Sequence, residues 1–174
     1  MALRKVPLKD RDLAYLPEAM TELSYTLFGE PGHEQAITKQ RINCHHNFTQ
    51  MESHFGKNMW ITRKGAIQMK QDQLGVIPGS MGTRSYIVSG LGNAHSYHSA
   101  PHGAGRRMSR TKARETFTMQ DLELAMRGVA ARLRPSLIDE IPGAYKDIDT
   151  VMENSRDLVK IEHTLKQIVN IKGD

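Results

Sequence analysis

The chain has 174 residues and a mass of 19.6 kDa, enough for one domain with a buried core. Hydrophobic residues make up 39% of it and charged residues 25%. No run approaches the roughly 20 apolar residues of a spanning helix, so the composition excludes a membrane-spanning role. The first residues lack the apolar core of a secretory signal. The single Cys44 excludes an internal disulfide and a multi-cysteine zinc site. We therefore expect a cytoplasmic protein.

Positive charge is concentrated in one part of the sequence. The net charge is +5, yet residues 55–114 carry ten cations against the single acid Asp72. Seven of the fourteen glycines lie between residues 75 and 105 of this segment. Glycine lets backbone N–H groups approach an anion closely, and clustered cations favour polyanions because counterions are released on binding. The segment is typical of a nucleotide or nucleic-acid site, or else of a solvated basic face.

The first third of the chain gives weak signals for secondary structure. Residues 1–40 are predicted as short helices and loops, interrupted at Gly29-Glu30-Pro31-Gly32. Residues 47–55 are predicted to form one or two helical turns that stop near Gly56. Met59-Trp60-Ile61-Thr62-Arg63 follows as a short strand.

Two strand-like runs come next along the chain. They are Gly75-Val76-Ile77 and Ser85-Tyr86-Ile87-Val88, both rich in residues that favour strands. The segment between them, Pro78-Gly79-Ser80-Met81-Gly82, has the composition of a loop. The pattern predicts two strands joined by a glycine-rich connection.

Helical signals dominate after residue 117. Thr118 and Asp121 have the spacing of a capping box, and apolar residues then recur at helical spacing up to Pro135, which predicts a helix over about 119–134. A second helix is predicted to start near Ala144. Its apolar face would contain Ile148, Val151 and Met152.

Apolar and polar residues largely alternate in the final segment of the chain. From Val159 to Ile171 the odd positions are largely apolar, which predicts a long strand. Helices and strands are mixed without the regular strand-helix alternation of a doubly wound fold. The predicted fold class is α+β.

Histidines are concentrated at Cys44-His45-His46-Asn47. Adjacent side chains point to opposite faces of a strand, and about 100° apart on a helix, so two neighbouring histidines cannot both face one site. One of them is predicted to be a ligand or acid-base group and the other its hydrogen-bonded neighbour. The alternative is that both are structural, and we interpret His54 and His98 as structural.

A second histidine cluster surrounds His102-Gly103-Ala104-Gly105-Arg106. An imidazole beside exposed backbone N–H groups, with guanidinium groups nearby, suits a nucleophile that works on a phosphoryl group. The alternative is a turn before a helix N-cap. The sequence has neither a Walker A motif nor GxGxxG, so a P-loop NTPase and a Rossmann enzyme are unsupported.

Several motifs in this chain occur together, and in the same order, in one known family. They are Ile42-Asn43-Cys44-His45-His46-Asn47-Phe48, Thr62-Arg63-Lys64-Gly65-Ala66, Val76-Ile77-Pro78-Gly79-Ser80-Met81-Gly82-Thr83, His102-Gly103-Ala104-Gly105-Arg106-Arg107-Met108-Ser109-Arg110 and Ala144-Tyr145-Lys146-Asp147-Ile148-Asp149. Together they resemble the C-terminal half of the RNA-splicing ligase RtcB family. The resemblance implies the C-terminal portion of the RtcB-type mixed α/β fold. It divides the chain into a shortened segment, 1–40, and a catalytic and nucleotide-binding region, 41–174, treated as a single domain.

The resemblance also implies an activity. The family joins an RNA 3′-phosphate or 2′,3′-cyclic phosphate to a 5′-hydroxyl in tRNA splicing or RNA repair, using GTP and Mn²⁺. The family's nucleophile precedes Gly-Ala-Gly and maps to His102, which would form a histidine-GMP phosphoramidate. The metal-binding histidine maps to His46. Arg106 and Arg110 would contact phosphates of nucleotide or RNA. The implied GMP contacts are Asn47, Ser80, Ser85, Ala104, Gly105, Tyr145 and Lys172.

The chain departs from the family in length. Full-length members are much longer, and their N-terminal half supplies an Asp-x-x-Cys motif and further histidines that complete the metal site. We expect these to be missing here, so a separate N-terminal half or self-association would complete the ligase. The alternatives are a non-catalytic nucleotide- or RNA-binding relative and a fragment that folds poorly. The implied partners are RNA and GTP, without a membrane.

Overall fold

A computed structural model describes residues 42–172, and the prediction for residues 1–40 lies outside this range. Within it, short helices and short strands are mixed, which confirms the α+β class. No helix of the described range is long and apolar enough to cross a membrane.

Short 3₁₀ turns lie at Ala94–Ser96, Pro135–Glu140 and Pro142–Ala144. The strands are β1 (Asn47–His54), β2 (Lys57–Lys64), β3 (Ala66–Gln68), β4 (Leu74–Pro78), β5 (Ser85–Gly90), β6 (Ser99–Pro101), β7 (Ala130–Ala131), β8 (Val159–Leu165) and β9 (Val169–Asn170); the helices are α1 (Arg110–Thr116), α2 (Met119–Ala125) and α3 (Ile148–Glu153).

The first hairpin corrects one prediction. Residues 47–54 form strand β1 rather than helical turns, and β1 pairs antiparallel with β2 in the register His54↔Lys57. The turn residues Phe55 and Gly56 both have positive φ, 52° and 73°, as two-residue hairpin turns require. The apolar spacing of this segment resembled a helix by coincidence, because exposure along β1 alternates with the period of a strand. The strand predicted over 59–63 is confirmed within β2.

The central sheet has the order β4-β5-β8, with both pairs antiparallel. It confirms the two predicted strands and the loop between them. Helix α3 packs against this sheet through Ile148 and Met152. The buried core here is formed by Ile67, Met69, Ile77, Tyr86, Val88, Ala100, Ala104, Ile148, Met152 and Val159.

The long strand predicted over 159–171 is interrupted. Strand β8 ends at Leu165, and the short β9 pairs in parallel with β7 instead. The break lies where the Gln167 side chain turns to the loop after β4, accepting from the Gly82 N–H at 3.1 Å and donating to the Ser80 carbonyl at 3.0 Å. Of the apolar residues that alternate along β8, only Val159 is buried.

The helix predicted over 119–134 is much shorter than expected. The capping box between Thr118 and Asp121 is present, and α2 ends at Ala125. Gly128, with φ at 82°, turns the chain, and the extended segment that follows packs Val129 and Leu133 against the same cluster as α2. The apolar spacing continued past the helix because both segments face one core. This second cluster contains Met81, Ala113, Leu122, Met126, Leu137, Ile141 and Ala144.

The second predicted helix starts later than expected. Residues 142–144 form a 3₁₀ turn, and Asp147 caps α3 by accepting a hydrogen bond from the Thr150 N–H at 2.9 Å. The predicted apolar face is confirmed, since Ile148 and Met152 are buried and Val151 is half-buried. Tyr145 lies between this turn and α3 and packs against both clusters.

We expect Thr118→Ala to lower the free energy of unfolding by about 1 kcal/mol, because the hydroxyl caps the first turn of α2. Thr118→Ser keeps the hydroxyl and serves as the control. Urea unfolding followed by circular dichroism measures both variants. Equal losses of stability in the two variants would contradict the capping role.

Candidate functional site

The two histidines singled out in the sequence meet in the structure. The rings of His46 and His102 stack with centroids 5.0 Å apart and planes inclined by 29°. Between β2 and β3, the Gly65 N–H donates to the His46 carbonyl at 3.0 Å, and its carbonyl accepts from the His102 N–H at 3.3 Å. A single residue thus ties the segment before β1 to the segment after β6, which brings the two rings together.

The neighbouring histidines have other surroundings. The ring of His45 meets Phe48 edge-on at 6.1 Å, so only one of the adjacent pair contacts His102, as the geometry of neighbouring side chains requires. His54 is buried, bonded to Glu52 at 2.8 Å, and its ring lies 4.9 Å from that of His98. Its burial and its carboxylate partner agree with a structural role.

The segment after His102 links two parts of the fold. The Ala104 N–H donates to the Pro78 carbonyl at 3.1 Å, and the Gly105 carbonyl accepts from the Lys146 N–H at 3.0 Å. Ala104 is buried in the sheet core and Gly105 is exposed. Residues 102–105 therefore connect the loop after β4 to the segment before α3.

A cleft of about 660 Å³ lies between these two segments and reaches the end of β8. Two of the predicted GMP contacts, Ser80 and Tyr145, line it. Ser80 is held in place because its N–H donates to Thr83 Oγ1 at 2.7 Å. Ser85 begins β5 opposite Pro78, at the base of the same loop. The cleft has the size and mixed lining of a small-molecule site.

Tyr145 also belongs to a cluster of charged groups. Its hydroxyl donates to Glu140 Oε2 at 2.5 Å, and Lys172 Nζ lies 3.7 Å from the same oxygen. The Arg106 guanidinium lies 4.8 Å from the centroid of the Tyr145 ring and donates to its hydroxyl at 3.0 Å. Burial, and then Glu140, raise the pKa of Tyr145 above its ordinary value. The hydroxyl is therefore a hydrogen-bond donor at neutral pH.

The two arginines predicted to contact phosphate differ in their freedom. Arg106 donates to the carbonyls of Met108 and Asp139 as well as to Tyr145, so most of its N–H groups already have partners in the chain. The Arg110 side chain is 71% exposed and lies 3.6 Å from the carboxylates of Asp139 and Glu140. Arg110 is the arginine that can exchange its partners for a phosphate at lower cost.

The remaining predicted GMP contact, Asn47, is exposed at the start of β1, where it pairs with Lys64 and follows His46 directly.

Within residues 42–172, no three histidine, cysteine or acidic side chains lie close enough to hold a metal ion. His46 would contribute one nitrogen donor, which is too few for a stable Mn²⁺ site. The described residues therefore do not fit Mn²⁺ by themselves, and we assign no step to it.

Sequence reasoning missed a buried ion pair beside these histidines. Arg63 forms two hydrogen bonds to the Glu52 carboxylate, and their side chains are only 1% and 7% exposed. Arg63 also donates to Ser99 Oγ at 3.0 Å and to the Tyr97 carbonyl at 2.8 Å. The hairpin is thus fixed to the strand that leads into His102. A strand assignment for 47–55 would have placed Glu52 on the same face as Phe48, because side chains four residues apart in a strand share a face. Arg63 lies opposite Phe48 in the neighbouring strand and therefore shares that face with Glu52.

The electrostatic effect of this pair is large. The hydrogen bond from Arg63, assisted by those of His54 and Gln50, lowers the pKa of Glu52 from 4.5 to about 2 against the opposing effect of burial. A carboxylate whose pKa is lower in the folded state than in the unfolded state stabilises the fold at pH values above its unfolded pKa. This contribution is lost as the pH falls from the unfolded pKa through the folded pKa.

We expect Glu52→Gln to remove that contribution. The gap between 4.5 and about 2 corresponds to about 3 kcal/mol near neutral pH. Urea unfolding near pH 7 and near pH 3 should show the stability difference between the unchanged chain and the variant shrinking in acid. Glu123→Gln, at an exposed position of α2, is the control. A difference of equal size at both pH values would contradict the assignment.

We also expect Gly65→Ala to disturb the histidine pair. Gly65 has φ at 73°, and a Cβ there would lie 3.5 Å from His102 Nδ1. The backbone strain should cost roughly 1–2 kcal/mol. Gly56→Ala is matched, with φ at 73° and nothing within 4 Å of the added Cβ. Both variants should lose stability, but only Gly65→Ala should shift the NMR resonances of His102. Equal shifts of the His102 resonances in the two variants would contradict the predicted contact between residue 65 and His102.

Comparison with known proteins identifies the family. A family model described as tRNA-splicing ligase RtcB matches residues 14–173. Over 160 residues the chain is 47% identical to the RNA-splicing ligase RtcB1 of a strain of Escherichia coli, a match covering 92% of this chain and 39% of the relative. It is 52% identical over 139 residues to the RNA-splicing ligase RtcB of Escherichia coli strain K12, covering 80% and 34%.

A more distant relative is the tRNA-splicing ligase RtcB of Aeropyrum pernix, which is 41% identical over 115 residues, covering 56% of this chain and 24% of the relative. The chain spans no more than 39% of the length of these three relatives. Because the family model matches nearly its whole length and two relatives are about half identical, the chain belongs to the RtcB family.

Proposed function

We propose that this chain carries the guanylyl-transfer part of an RNA ligase that joins an RNA 3′-phosphate or 2′,3′-cyclic phosphate to a 5′-hydroxyl. The observation that supports it best is the position of His102. Its ring stacks on His46. Of the residues that follow it, Ala104 donates to the Pro78 carbonyl, two residues before Ser80, and Gly105 accepts from Lys146; Ser80 and Lys146 both line the cleft. The relatives are named RNA-splicing and tRNA-splicing ligases, which agrees with this function.

In the proposed reaction, His102 acts as the nucleophile. A lone pair of its imidazole attacks the α-phosphorus of GTP, a P–N bond forms, the bond to the β-phosphate breaks and pyrophosphate leaves. A 2′,3′-cyclic phosphate must first be opened by water, which adds to phosphorus while the bond to O2′ breaks and leaves a 3′-phosphate. The RNA 3′-phosphate then attacks the guanylyl phosphorus and releases His102. Finally, the RNA 5′-hydroxyl attacks the activated 3′-phosphate, loses its proton, and GMP leaves.

The other residues have supporting roles in this proposal. Ser80 and Tyr145, which line the cleft, would orient the guanosine nucleotide by hydrogen bonds, together with Ser85, Lys172 and Asn47. The Gly105 N–H would contact its phosphate, as backbone donors next to a nucleophile commonly do, whereas the Ala104 N–H already donates to the Pro78 carbonyl. Arg110, being largely exposed, would stabilise phosphate charge more readily than Arg106.

A second candidate is a nucleotide- or RNA-binding protein without catalysis. It is favoured by the lack of three grouped metal-ligating side chains in the described part of the chain.

The ligase proposal also includes a separate partner chain or self-association, which the exposed apolar residues of the hairpin support. Met51 and Trp60 lie opposite each other across the two strands and are 51% and 66% exposed. Such exposure is typical of a surface that another chain covers.

The ligase proposal is tested by the intact mass of the protein after incubation with GTP and Mn²⁺. We expect one acid-labile GMP adduct on the unchanged chain, no adduct on His102→Ala, and a normal adduct on the control His95→Ala, which removes an exposed histidine. An adduct on His102→Ala would refute the assigned nucleophile. Absence of any adduct from folded protein would favour the non-catalytic candidate for the chain on its own.

A further inference from the structure

The cleft lined by Ser80 and Tyr145 also contains positively charged side chains. Arg107, Lys146 and Lys166 all line it and are exposed. Within residues 42–172, none of the three forms an ion pair. We call these three residues the cleft rim.

Other arginines of the basic segment do have acidic partners. Arg106, Arg110 and Arg114 all lie within ion-pair distance of Asp139 or Glu140. These two carboxylates compensate the charge of the three arginines in part. The uncompensated cations at the cleft rim lie on elements that are far apart in sequence, which the fold brings to one opening.

Two of the rim residues are anchored through their own backbones or side chains. Arg107 Nε donates to the Gly143 carbonyl at 2.7 Å, which fixes the guanidinium and leaves its terminal N–H groups free within the described residues. The Lys146 N–H donates to the Gly105 carbonyl at 3.0 Å, so this lysine is attached directly to the segment that follows His102. Lys166 lies just after β8, on a third element of the cleft lining.

The cleft lining contains two acids as well. Asp149 pairs with Arg84 at 2.9 Å and accepts from the Tyr86 hydroxyl. Asp147 accepts the capping hydrogen bond of α3 and keeps its negative charge. The three rim cations outnumber this one carboxylate, so the lining formed by the described residues stays net positive. An opening lined by several separate cations suits a chain of phosphates better than a single anion, because each cation can meet a different phosphate.

We propose that the cleft rim binds the sugar-phosphate backbone of single-stranded RNA next to its reacting end, and so directs that end to His102. This inference rests on the proposed ligase function for the meaning of the reacting end. It adds a binding surface made of Arg107, Lys146 and Lys166 to the residues considered above. The interaction is electrostatic and independent of base sequence.

The test is binding of a fluorescein-labelled single-stranded RNA with a 3′-phosphate, measured by anisotropy over a range of salt concentrations. The variant K146Q/K166Q removes two rim charges. The variant K57Q/K64Q removes two exposed lysines from the β2 strand and is matched in charge. Thermal unfolding of each variant checks that the fold is kept.

We expect the rim variant to bind more weakly and to lower the salt slope by about 1.4, since each lost single-strand phosphate contact contributes about 0.7. The matched variant should keep the slope of the unchanged chain. Equal weakening in the two variants, unchanged binding by the rim variant, or no RNA binding by the unchanged chain would each overturn the inference.

The GMP adduct separates this inference from the ligase proposal. The rim variant should still form the adduct wherever the unchanged chain does. Loss of the adduct together with RNA binding would assign the rim to the triphosphate of GTP and overturn the RNA inference. Failure of the unchanged chain to form any adduct, with selective loss of RNA binding in the rim variant, would leave the RNA inference standing while the ligase proposal fails.

Discussion

The buried pairing of Arg63 with Glu52 is the constraint on which the site depends. Two charges removed from water are tolerated only when each finds a partner. The guanidinium, paired with Glu52 inside the hairpin, also donates to Tyr97 and Ser99, so separating the hairpin from β6 would break two hydrogen bonds of a buried charged group. His46 directly precedes the hairpin and His102 directly follows β6. One arginine therefore helps Gly65 to hold the segments of the two imidazole rings together.

Local patterns predicted part of this fold well. The strands β4 and β5 and the cap of α2 follow from residues close together in the chain, and His46 and His102 were found from short motifs around them. The errors arose where tertiary contacts decide the outcome. Residues 47–55 have apolar residues at helical spacing, but the turn at Phe55 and Gly56 and the pairing with β2 make them a strand.

The distribution of charge also depends on tertiary contacts that local sequence patterns do not reveal. The basic segment between residues 55 and 114 is evident in the sequence, but Asp139 and Glu140, which pair with three of its arginines, lie outside that segment. Lys166 lies outside it too, yet the fold brings it to the cleft with Arg107. Counting charges along the chain thus predicted a positive region correctly and could not tell compensated from uncompensated cations. Only the three-dimensional contacts separate the two groups.

Tyr145 lines the cleft and packs against both hydrophobic clusters, so the clusters share a residue that a bound molecule would touch. Any molecule that binds the folded cleft and not the unfolded chain stabilises the arrangement in which both clusters are formed. Occupancy of the cleft and cooperative unfolding of the two clusters are therefore thermodynamically linked. A ligand that contacts Tyr145 would therefore stabilise both clusters together against heat and denaturant.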